Sequence, residues 1–301
     1  MPEYMKLYES GKLKEIAEKL EEAVIACNLC PWHCKTDRRK EKTGVCKGGY
    51  LPEISSYNLH FGEEPPISGT QGSGTIFFTG CQLRCVFCQN YPISQLRNGK
   101  QLEFEELADI MIELQKRGAH NINLVTPTPW IFQIVKSLLI AVQRGLNIPI
   151  VWNTSGYEDI KTLKLIEGVV DIYLTDIKYS DDKPAKRLSM ANNYFSIAKE
   201  GTKEMFRQVG NLITENGIAK KGLIVRHLVL PNNLSGSEKV LEFLRKEISK
   251  DVFISLMSQY FPAYKAIDNK LLNRPLNKKE YDSVLESLEK NGLSNGWIQP
   301  L

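Results

Sequence analysis

Three cysteines within eight residues constrain this 301-residue chain more than any other feature. Cys81, Cys85 and Cys88 follow an apolar run, 75–80, that is typical of a buried strand. A disulfide needs two cysteines and a closed tetrahedral zinc site needs four ligands, so a group of three predicts a metal centre with one position left open. Three stray buried thiols are the alternative, but the segment that carries these cysteines, residues 80–90 (the triad loop), is polar.

Four further cysteines lie near the N-terminus, at Cys27, Cys30, Cys34 and Cys46. In a reducing compartment, seven cysteines are better explained by metal ligation than by disulfides. Four thiolates fit either structural zinc or an auxiliary iron–sulfur cluster, and the spacing does not separate the two. With four cysteines available, we expect His33 and His60 to pack or hydrogen-bond locally. Residues 27–50, the four-cysteine module, are expected to owe their order to the bound metal.

The composition is that of an ordinary globular protein, with 42% hydrophobic and 25% charged residues. The net charge of +4 is not concentrated in a basic block, which gives little reason to propose a nucleic-acid partner. The N-terminal residues lack an apolar signal core, and no window approaches about 18 uninterrupted apolar residues. We therefore predict a cytoplasmic protein with no membrane partner.

Strand-like and helix-like segments alternate beyond the triad loop. Strands are predicted at 75–80, 121–126, 149–153, 169–176, 223–230 and 252–257. Helices are predicted at 104–114, 131–144, 157–167, 237–248 and 277–290, with an irregular helical region at 181–215. This alternation predicts an α/β fold with a parallel sheet whose functional groups lie at the carboxyl ends of the strands, and periodicity alone does not tell an open sheet from a barrel.

Two units are predicted. Residues 1–60 would hold an N-terminal helix at 11–26 and the four-cysteine module, and residues 61–301 the β/α domain with its C-terminal helix. A Gly/Pro-rich connection, 61–74, leads into the first strand.

The spacing Cys-x3-Cys-x2-Cys, followed by Gln89 and Asn90, resembles the cluster loop of the radical S-adenosylmethionine (SAM) superfamily. The resemblance implies a six-stranded partial (β/α) barrel over roughly residues 74–265. It also implies that the three cysteines bind a 4Fe-4S cluster whose open iron takes the amino and carboxylate groups of SAM. Reductive cleavage of SAM would give a 5'-deoxyadenosyl radical that abstracts hydrogen. Phe87, Gln89 and Asn90 become candidate cofactor contacts.

Within that superfamily the chain resembles the glycyl-radical-enzyme activases, typified by pyruvate formate-lyase activating enzyme. At the third strand end, Asn153 and Thr154 stand where the activases have Asp-Thr-Asn-Gly, so Thr154 is a candidate SAM contact. Asn153 replaces the aspartate that contributes to a monovalent cation site in the activases, and that cation is therefore in doubt. At the fourth strand end, Asp176 and Lys178 match Asp-Leu-Lys and would contact the ribose or carboxylate of SAM, the alternative being a solvated strand end.

Three other strand ends carry weaker matches. Arg226 and His227 resemble an activase Arg-Tyr, although a histidine there is as often a structural hydrogen-bonding residue. Tyr260 falls at an activase histidine position. Thr126 and Thr128 lie where a Gly-Gly-Glu motif usually binds the SAM amino group, and their hydroxyls can accept hydrogen bonds from an ammonium.

The resemblance implies an oxidoreductase that takes electrons from a flavodoxin- or ferredoxin-type reductant and abstracts hydrogen from a protein or peptide, with a glycyl residue as one target. A radical SAM enzyme that modifies a small molecule or RNA is the alternative. A third hypothesis, a non-catalytic two-metal electron carrier or binding module, gives no reason for six β/α units.

Overall fold

The structure is a computed structural model that describes residues 1–40 and 43–301. Its strands are β1 (Glu53–His60), β2 (Ser73–Phe78), β3 (Lys100–Gln101), β4 (Ile122–Val125), β5 (Ile150–Thr154), β6 (Ile172–Asp176), β7 (Ile213–Glu215), β8 (Ile218–Leu228), β9 (Phe253–Met257) and β10 (Gly296–Ile298). Its α-helices are α1 (Glu3–Glu9), α2 (Lys12–Ala23), α3 (Pro65–Ser68), α4 (Tyr91–Ser94), α5 (Phe104–Lys116), α6 (Ile131–Gln143), α7 (Ile160–Leu165), α8 (Asp182–Ser189), α9 (Tyr194–Val209), α10 (Ser237–Phe243) and α11 (Lys278–Lys290).

The parallel strands follow chain order across the sheet, as β2, β4, β5, β6, β8 and β9. These are the six predicted strands, so the predicted six-stranded partial (β/α) barrel is confirmed. Chain order without a reversal is what successive right-handed β/α crossovers produce in a barrel. The parallel order brings the carboxyl ends of all six strands to the same end of the molecule.

Flanking strands cover both edges of this set. β1 pairs with β2 antiparallel and β3 pairs with β1, while β10 pairs parallel with β9 at the other edge. The sequence analysis did not predict β1, β3 or β10, nor the helix α1. β1 lies inside the predicted N-terminal unit yet belongs to the same sheet as the barrel, and the boundary at residue 60 stays a prediction.

The hydrophobic core is built around the central parallel strands, which are buried along almost their whole length. Every residue of β5 is buried, and β4 and β6 are buried except at their last residue, as expected for parallel strands covered by helices on the outside. Leu13 and Leu20 of α2 are fully buried in the same hydrophobic cluster as Phe132 and Leu138 of α6. The N-terminal helices are therefore packed on the barrel.

The irregular region 181–215 resolves into α8, α9 and the edge strand β7. β7 and β8 form a hairpin through Asn216 and Gly217, which both have positive φ (51° and 78°). An Asn-Gly pair is a strong hairpin signal, and it explains why β8 begins at Ile218 and not at the predicted residue 223. Within the described residues, we find no helix that is both long and apolar enough to cross a membrane.

Candidate active site

The triad loop begins where β2 ends. Gly80 turns the chain with a φ of +67°, and Cys81, Cys85 and Cys88 then all line one cavity of about 500 Å³ at the carboxyl end of the barrel strands. Each sulfur has a polar neighbour. The amide N–H of Leu83 donates to Cys81 Sγ (3.3 Å), the hydroxyl of Ser189 donates to Cys85 Sγ (3.0 Å), and Ser94 Oγ lies 3.1 Å from Cys88 Sγ.

These contacts suit sulfur in its anionic form. Burial raises the pKa of the Cys81 and Cys85 thiols to about 12 and about 11, and the Leu83 amide and Ser189 hydroxyl oppose that rise. Thiols held neutral by burial lose their protons when a metal replaces them. The donor set of three soft thiols in a cavity lined by polar groups fits an iron–sulfur cluster with one iron left for another ligand.

The described residues contain no group of three or more His, Cys, Asp or Glu side chains placed to hold a single metal ion. A single zinc ion needs its ligands at about 2.0–2.3 Å from one point. A cluster distributes its thiolates over separate iron atoms, so its ligands do not need to converge in that way.

The strand ends bring most of the predicted contacts to this cavity. Besides the three cysteines, the predicted residues that line it are Phe87, Gln89, Asn90, Thr126, Asn153, Thr154, Asp176, Lys178 and Arg226. They come from the triad loop and from the ends of β4, β5, β6 and β8, which are neighbours in the sheet. Thr126 has a φ of +62°, a conformation that a β-branched residue rarely adopts, at the cavity wall.

Lys178 supplies a cation to the cavity. Its ammonium contacts the carboxylate of Asp176, and both side chains are mostly buried, at 19% and 25% exposed. Burial alone would lower the pKa of Lys178, but Asp176 and Cys85 outweigh it, so the pKa is raised above its ordinary range. Lys178 therefore stays charged beside the cysteines, where it can attract an anionic group.

Arg226 is held by two carboxylates that sequence reasoning missed. Its guanidinium contacts Glu63, binds Glu64 at 2.6 Å and lies 3.5 Å from Asn153 Oδ1. Both glutamates line the cavity, and their side chains are 7% and 0% exposed. Burial would raise the pKa of Glu64, but Arg226 lowers it below its ordinary value. The only sequence signal was an acidic pair directly before Pro65 in the Gly/Pro-rich connection.

A buried carboxyl lies behind Thr154. The hydroxyls of Thr154 and Thr128 both donate to Glu158, which is 3% exposed. Burial raises the pKa of Glu158 to about 7, against the lowering effect of the two threonine hydroxyls. Because the hydroxyl hydrogen of Thr154 is used in the bond to Glu158, the Thr154 oxygen is left as a hydrogen-bond acceptor at the cavity.

Three predicted contacts do not line the cavity. Thr128 is buried against Glu158. His227 is fully buried with Nδ1 2.7 Å from the carbonyl of Ile177 and Nε2 2.8 Å from Ser237 Oγ, which is the structural hydrogen-bonding arrangement left open above. Tyr260 donates its hydroxyl to the carbonyl of Leu272 (2.6 Å) and packs edge-on against Phe87.

The C-terminal segment adds lining residues that were not predicted. Trp297 of β10 and the following Gln299 line the cavity with Gln259. Gln299 Oε1 accepts from the amide N–H of Gln259 (3.1 Å), and Gln89 Nε2 donates to the carbonyl of Gln259 (3.1 Å). The end of the chain is thereby tied to the triad loop. The only sequence signal for this strand was the segment Gly-Trp-Ile at 296–298.

The four-cysteine module lies against the triad loop. Trp32 Nε1 donates to the carbonyl of Gln82 (2.8 Å), and His33 Nε2 lies 2.9 Å from Asp159 Oδ2. A Cβ on Gly80 would be 2.5 Å from the carbonyl oxygen of Cys46, so only glycine fits at this contact. Burial raises the pKa of Cys30, and the nearby Cys46, Cys27 and Cys34 raise it further.

The fold and this site define a radical SAM protein. The model of the Radical SAM superfamily matches residues 75–244, more than half of the chain, and the chain belongs to that superfamily. The resemblance stated from the triad loop is confirmed. Membership implies a 4Fe-4S cluster and SAM as cofactors. The assignment of individual residues to these groups stays a prediction.

The relatives include two activating proteins. The chain is 36% identical over 279 residues to an uncharacterized protein of Methanocaldococcus jannaschii, which covers 89% of this chain and 75% of that protein. It is 24% identical over 170 residues to the pyruvate formate-lyase-activating enzyme of Clostridium pasteurianum (55% of this chain, 65% of that enzyme). It is 28% identical over 131 residues to the anaerobic ribonucleoside-triphosphate reductase-activating protein of Enterobacteria phage T4 (41% and 83%).

Proposed function

We propose that this radical SAM enzyme abstracts hydrogen from a protein or peptide substrate, with a glycyl residue as the target. Support comes from an exposed aromatic side chain next to the triad loop. Phe261 lies two residues beyond the lining residue Gln259 and directly after Tyr260, which packs on Phe87 of that loop. Phe261 is 54% exposed. An exposed aromatic group beside a polar cavity suits a macromolecular surface better than a small polar substrate.

The names of two relatives point the same way. One activates pyruvate formate-lyase and the other an anaerobic ribonucleoside-triphosphate reductase, so each acts on a protein. A flavodoxin- or ferredoxin-type reductant belongs to the same proposal.

The residues have separable roles in it. Cys81, Cys85 and Cys88 would bind the 4Fe-4S cluster. That cluster, when bound and reduced, would supply the electron for reductive cleavage of SAM and thereby for hydrogen abstraction. Lys178 would hold the SAM carboxylate, and the Thr154 oxygen would accept from its ammonium.

The charge of the cavity is consistent with SAM. Glu63, Glu64 and Asp176 place three carboxylates on its wall against the two cations Lys178 and Arg226. The remaining negative charge complements a sulfonium ligand with net positive charge. Because Arg226 is already bound to the two glutamates, we assign it to ordering the cavity wall and not to direct contact with SAM.

We also propose a second metal centre at Cys27, Cys30, Cys34 and Cys46. The effect of the other three cysteines on the pKa of Cys30 and the contact of the module with the triad loop support it. Because the described residues contain no group placed to hold a single metal ion, a zinc ion would require the four sulfur atoms to draw together on binding, whereas a cluster would not.

The substrate class can be tested by deuterium transfer. The reduced, reconstituted enzyme is incubated with SAM and with protein, RNA or small-molecule fractions of cells grown in deuterated medium, and deuterium in 5'-deoxyadenosine is measured by mass spectrometry. We expect transfer from the protein fraction, and also from protein of cells fed only deuterated glycine. Transfer confined to the RNA or small-molecule fraction would overturn the proposal.

A matched pair of variants tests the role of Phe261. Phe261→Ser should lower deuterium transfer from the protein fraction while leaving substrate-independent SAM cleavage intact. Ile213→Ser is the control, because Ile213 is 56% exposed in β7, which pairs with the start of β8 at the opposite end of the barrel. Equal effects of the two variants would count against a contact between Phe261 and the substrate.

A further inference from the structure

Arg38 carries a buried charge that the described residues do not fully pair. The residue is 2% exposed. Its Nε donates to the carbonyls of Gly48 (3.0 Å) and Gly49 (3.1 Å), and its Nη1 donates to the carbonyl of Pro129 (2.7 Å). Nη2 is buried and has no hydrogen-bond partner within residues 1–40 and 43–301. The guanidinium also lies over the ring of Trp130, 5.6 Å from its centroid. A buried cation whose described hydrogen-bond partners are all neutral carbonyls is costly, and an unused N–H calls for an acceptor.

Nη2 of Arg38 lies near the sulfur atom of Cys46. A Cβ built on Gly48 would lie 2.4 Å from Arg38 Nη2 and 3.5 Å from Cys46 Sγ, so the nitrogen and the sulfur border the same small space. Burial raises the pKa of Cys27, and Arg38 is the strongest influence that lowers it. Arg38 is thus next to at least two of the four thiols.

The backbone of the module also points donors at sulfur. The amide N–H of Gly48 donates to Cys46 Sγ (3.4 Å). The amides of Leu29 and Trp32, each two residues after a cysteine, lower the pKa of Cys27 and Cys30 against the larger effect of burial. N–H groups directed at sulfur stabilise the thiolate and not the thiol. Such N–H donors would contribute little to the stability of neutral thiols.

We propose that Arg38 is the counter-cation of an anionic metal–thiolate centre formed by Cys27, Cys30, Cys34 and Cys46. The inference rests on the second metal centre proposed above and assigns its charge and its charge partner. When a zinc ion or a preassembled 4Fe-4S cluster binds, metal–sulfur bonds replace the four S–H bonds, the protons go to solvent, and no electron is transferred. Four thiolates around either a zinc ion or an oxidised 4Fe-4S cluster leave a net charge of about −2, which the unused N–H of Arg38 can meet.

The test uses the full chain with Cys81, Cys85 and Cys88 replaced by alanine, so that bound metal reports the module and no SAM chemistry is involved. Zinc and iron are counted per chain after anaerobic purification, and their loss to EDTA is followed over time. About one zinc per chain identifies a zinc site, and about four irons with sulfide identify a cluster. Both results fit the proposal, and a chain with neither metal overturns it.

Substitutions in that background test the charge. Arg38→Gln should lose metal at least about tenfold faster than the parent, and Arg38→Lys, which keeps the charge, should fall between them. Arg39→Gln is the control, since Arg39 is the next residue, pairs with Asp37 and is 44% exposed at its side chain. If Arg38→Lys and Arg38→Gln lose metal at the same rate, Arg38 serves only to bind carbonyls and the proposal fails.

A second measurement separates charge compensation from simple structural support. Thermal unfolding of the metal-stripped proteins should show Arg38→Gln at least as stable as its parent, because stripping leaves the cation without its counter-charge. The metal-loaded variant should be the less stable of the pair. If Arg38→Gln lowers the melting temperature equally with and without metal, the role is structural and the proposal is wrong.

Discussion

The two cysteine groups of this chain differ in what their surroundings prepare them to do. The triad loop opens on a cavity whose wall carries ionised groups from several strand ends, with Lys178 and Arg226 both already paired. The described residues of the four-cysteine module do not line that cavity, and the module's buried cation, Arg38, retains an unused N–H within residues 1–40 and 43–301. The first site therefore has room for a further ligand. In the second site, the cation would balance the negative charge of a metal centre bound by the cysteines.

The sharpest way to break this comparison is to remove each cysteine group in turn. We expect alanine at Cys81, Cys85 and Cys88 to abolish SAM cleavage, and alanine at the four module cysteines to leave part of it, because only the first group lines the cavity. The measurement is 5'-deoxyadenosine formed after anaerobic reconstitution and reduction, with iron counted in both variants. Cleavage at the wild-type rate by the first variant would refute the catalytic assignment.

The paired state of the cavity cations can be tested at Arg226. Arg226→Met leaves Glu63 and Glu64 buried without a counter-charge, and we expect it to lower the free energy of unfolding by about 3–5 kcal/mol. Urea denaturation measures this. Arg245→Met, at an exposed arginine of the helical turn after α10, should change it by less than about 0.5 kcal/mol. Adding Glu63→Gln and Glu64→Gln to Arg226→Met should recover part of the loss, and an unchanged loss would contradict the pairing.

Two adjacent acidic residues connect the two regions. Glu158 accepts a hydrogen bond from Thr154 at the cavity, and Asp159 contacts His33 of the module. The pKa of Glu158 is raised from 4.5 to about 7 by burial, so the folded state holds the proton more tightly than the unfolded state. The associated stability is complete below about pH 4.5 and is lost as the pH rises through 7. Glu158→Gln removes this titration.

We therefore expect the unfolding free energy of Glu158→Gln, relative to wild type, to rise by about 3 kcal/mol between pH 4.5 and pH 8. Urea denaturation at the two pH values gives the difference. A difference that does not depend on pH would show that folding does not raise the pKa of Glu158.

A smaller effect is expected at Lys178. Lys178→Met should weaken SAM binding by about 10-fold to 100-fold, because a charge-assisted hydrogen bond to the SAM carboxylate is lost. Anaerobic equilibrium dialysis with labelled SAM measures the affinity. Lys183→Met, at an exposed lysine of α8, is the matched control and should bind as wild type does. Unaltered binding by Lys178→Met would place the carboxylate elsewhere.

The smallest expected effect concerns backbone strain at the cavity wall. Thr126→Gly should raise the unfolding free energy by up to about 1 kcal/mol, since glycine adopts a φ of +62° without steric cost. Thr214→Gly in the edge strand β7 is the control and should be destabilising. If both variants are destabilised alike, Thr126 is not strained.

The sequence was sufficient for the barrel strands and for most of the cavity wall, because each apolar run fixes where its strand ends and the parallel order brings those ends together. It was insufficient for Glu63 and Trp297. Both lie in segments without a clear period, and their positions depend on pairing of β1 with β2 and of β10 with β9. Such long-range pairing has no local signal.

Strand geometry, applied more strictly, would have kept His227 out of the cavity. Successive residues of a strand face opposite sides, so Arg226 and His227 cannot both point into the same cavity. With Arg226 on the cavity wall, His227 must face the helix layer, where it contacts Ser237 at the start of α10. The conformation of Thr126 and the position of Thr128 behind Thr154 follow from loop structure, which periodicity does not describe.

The contact between Gly80 and the carbonyl of Cys46 limits how this molecule can be re-engineered. There is no room for even a methyl group between them, so the N-terminal segment and the barrel are in tight contact here. A chimera that exchanges either part with that of a distant homologue would have to keep the residues on both sides of this contact. Insertions that shift residue 46 should disturb the neighbouring residue 81 first.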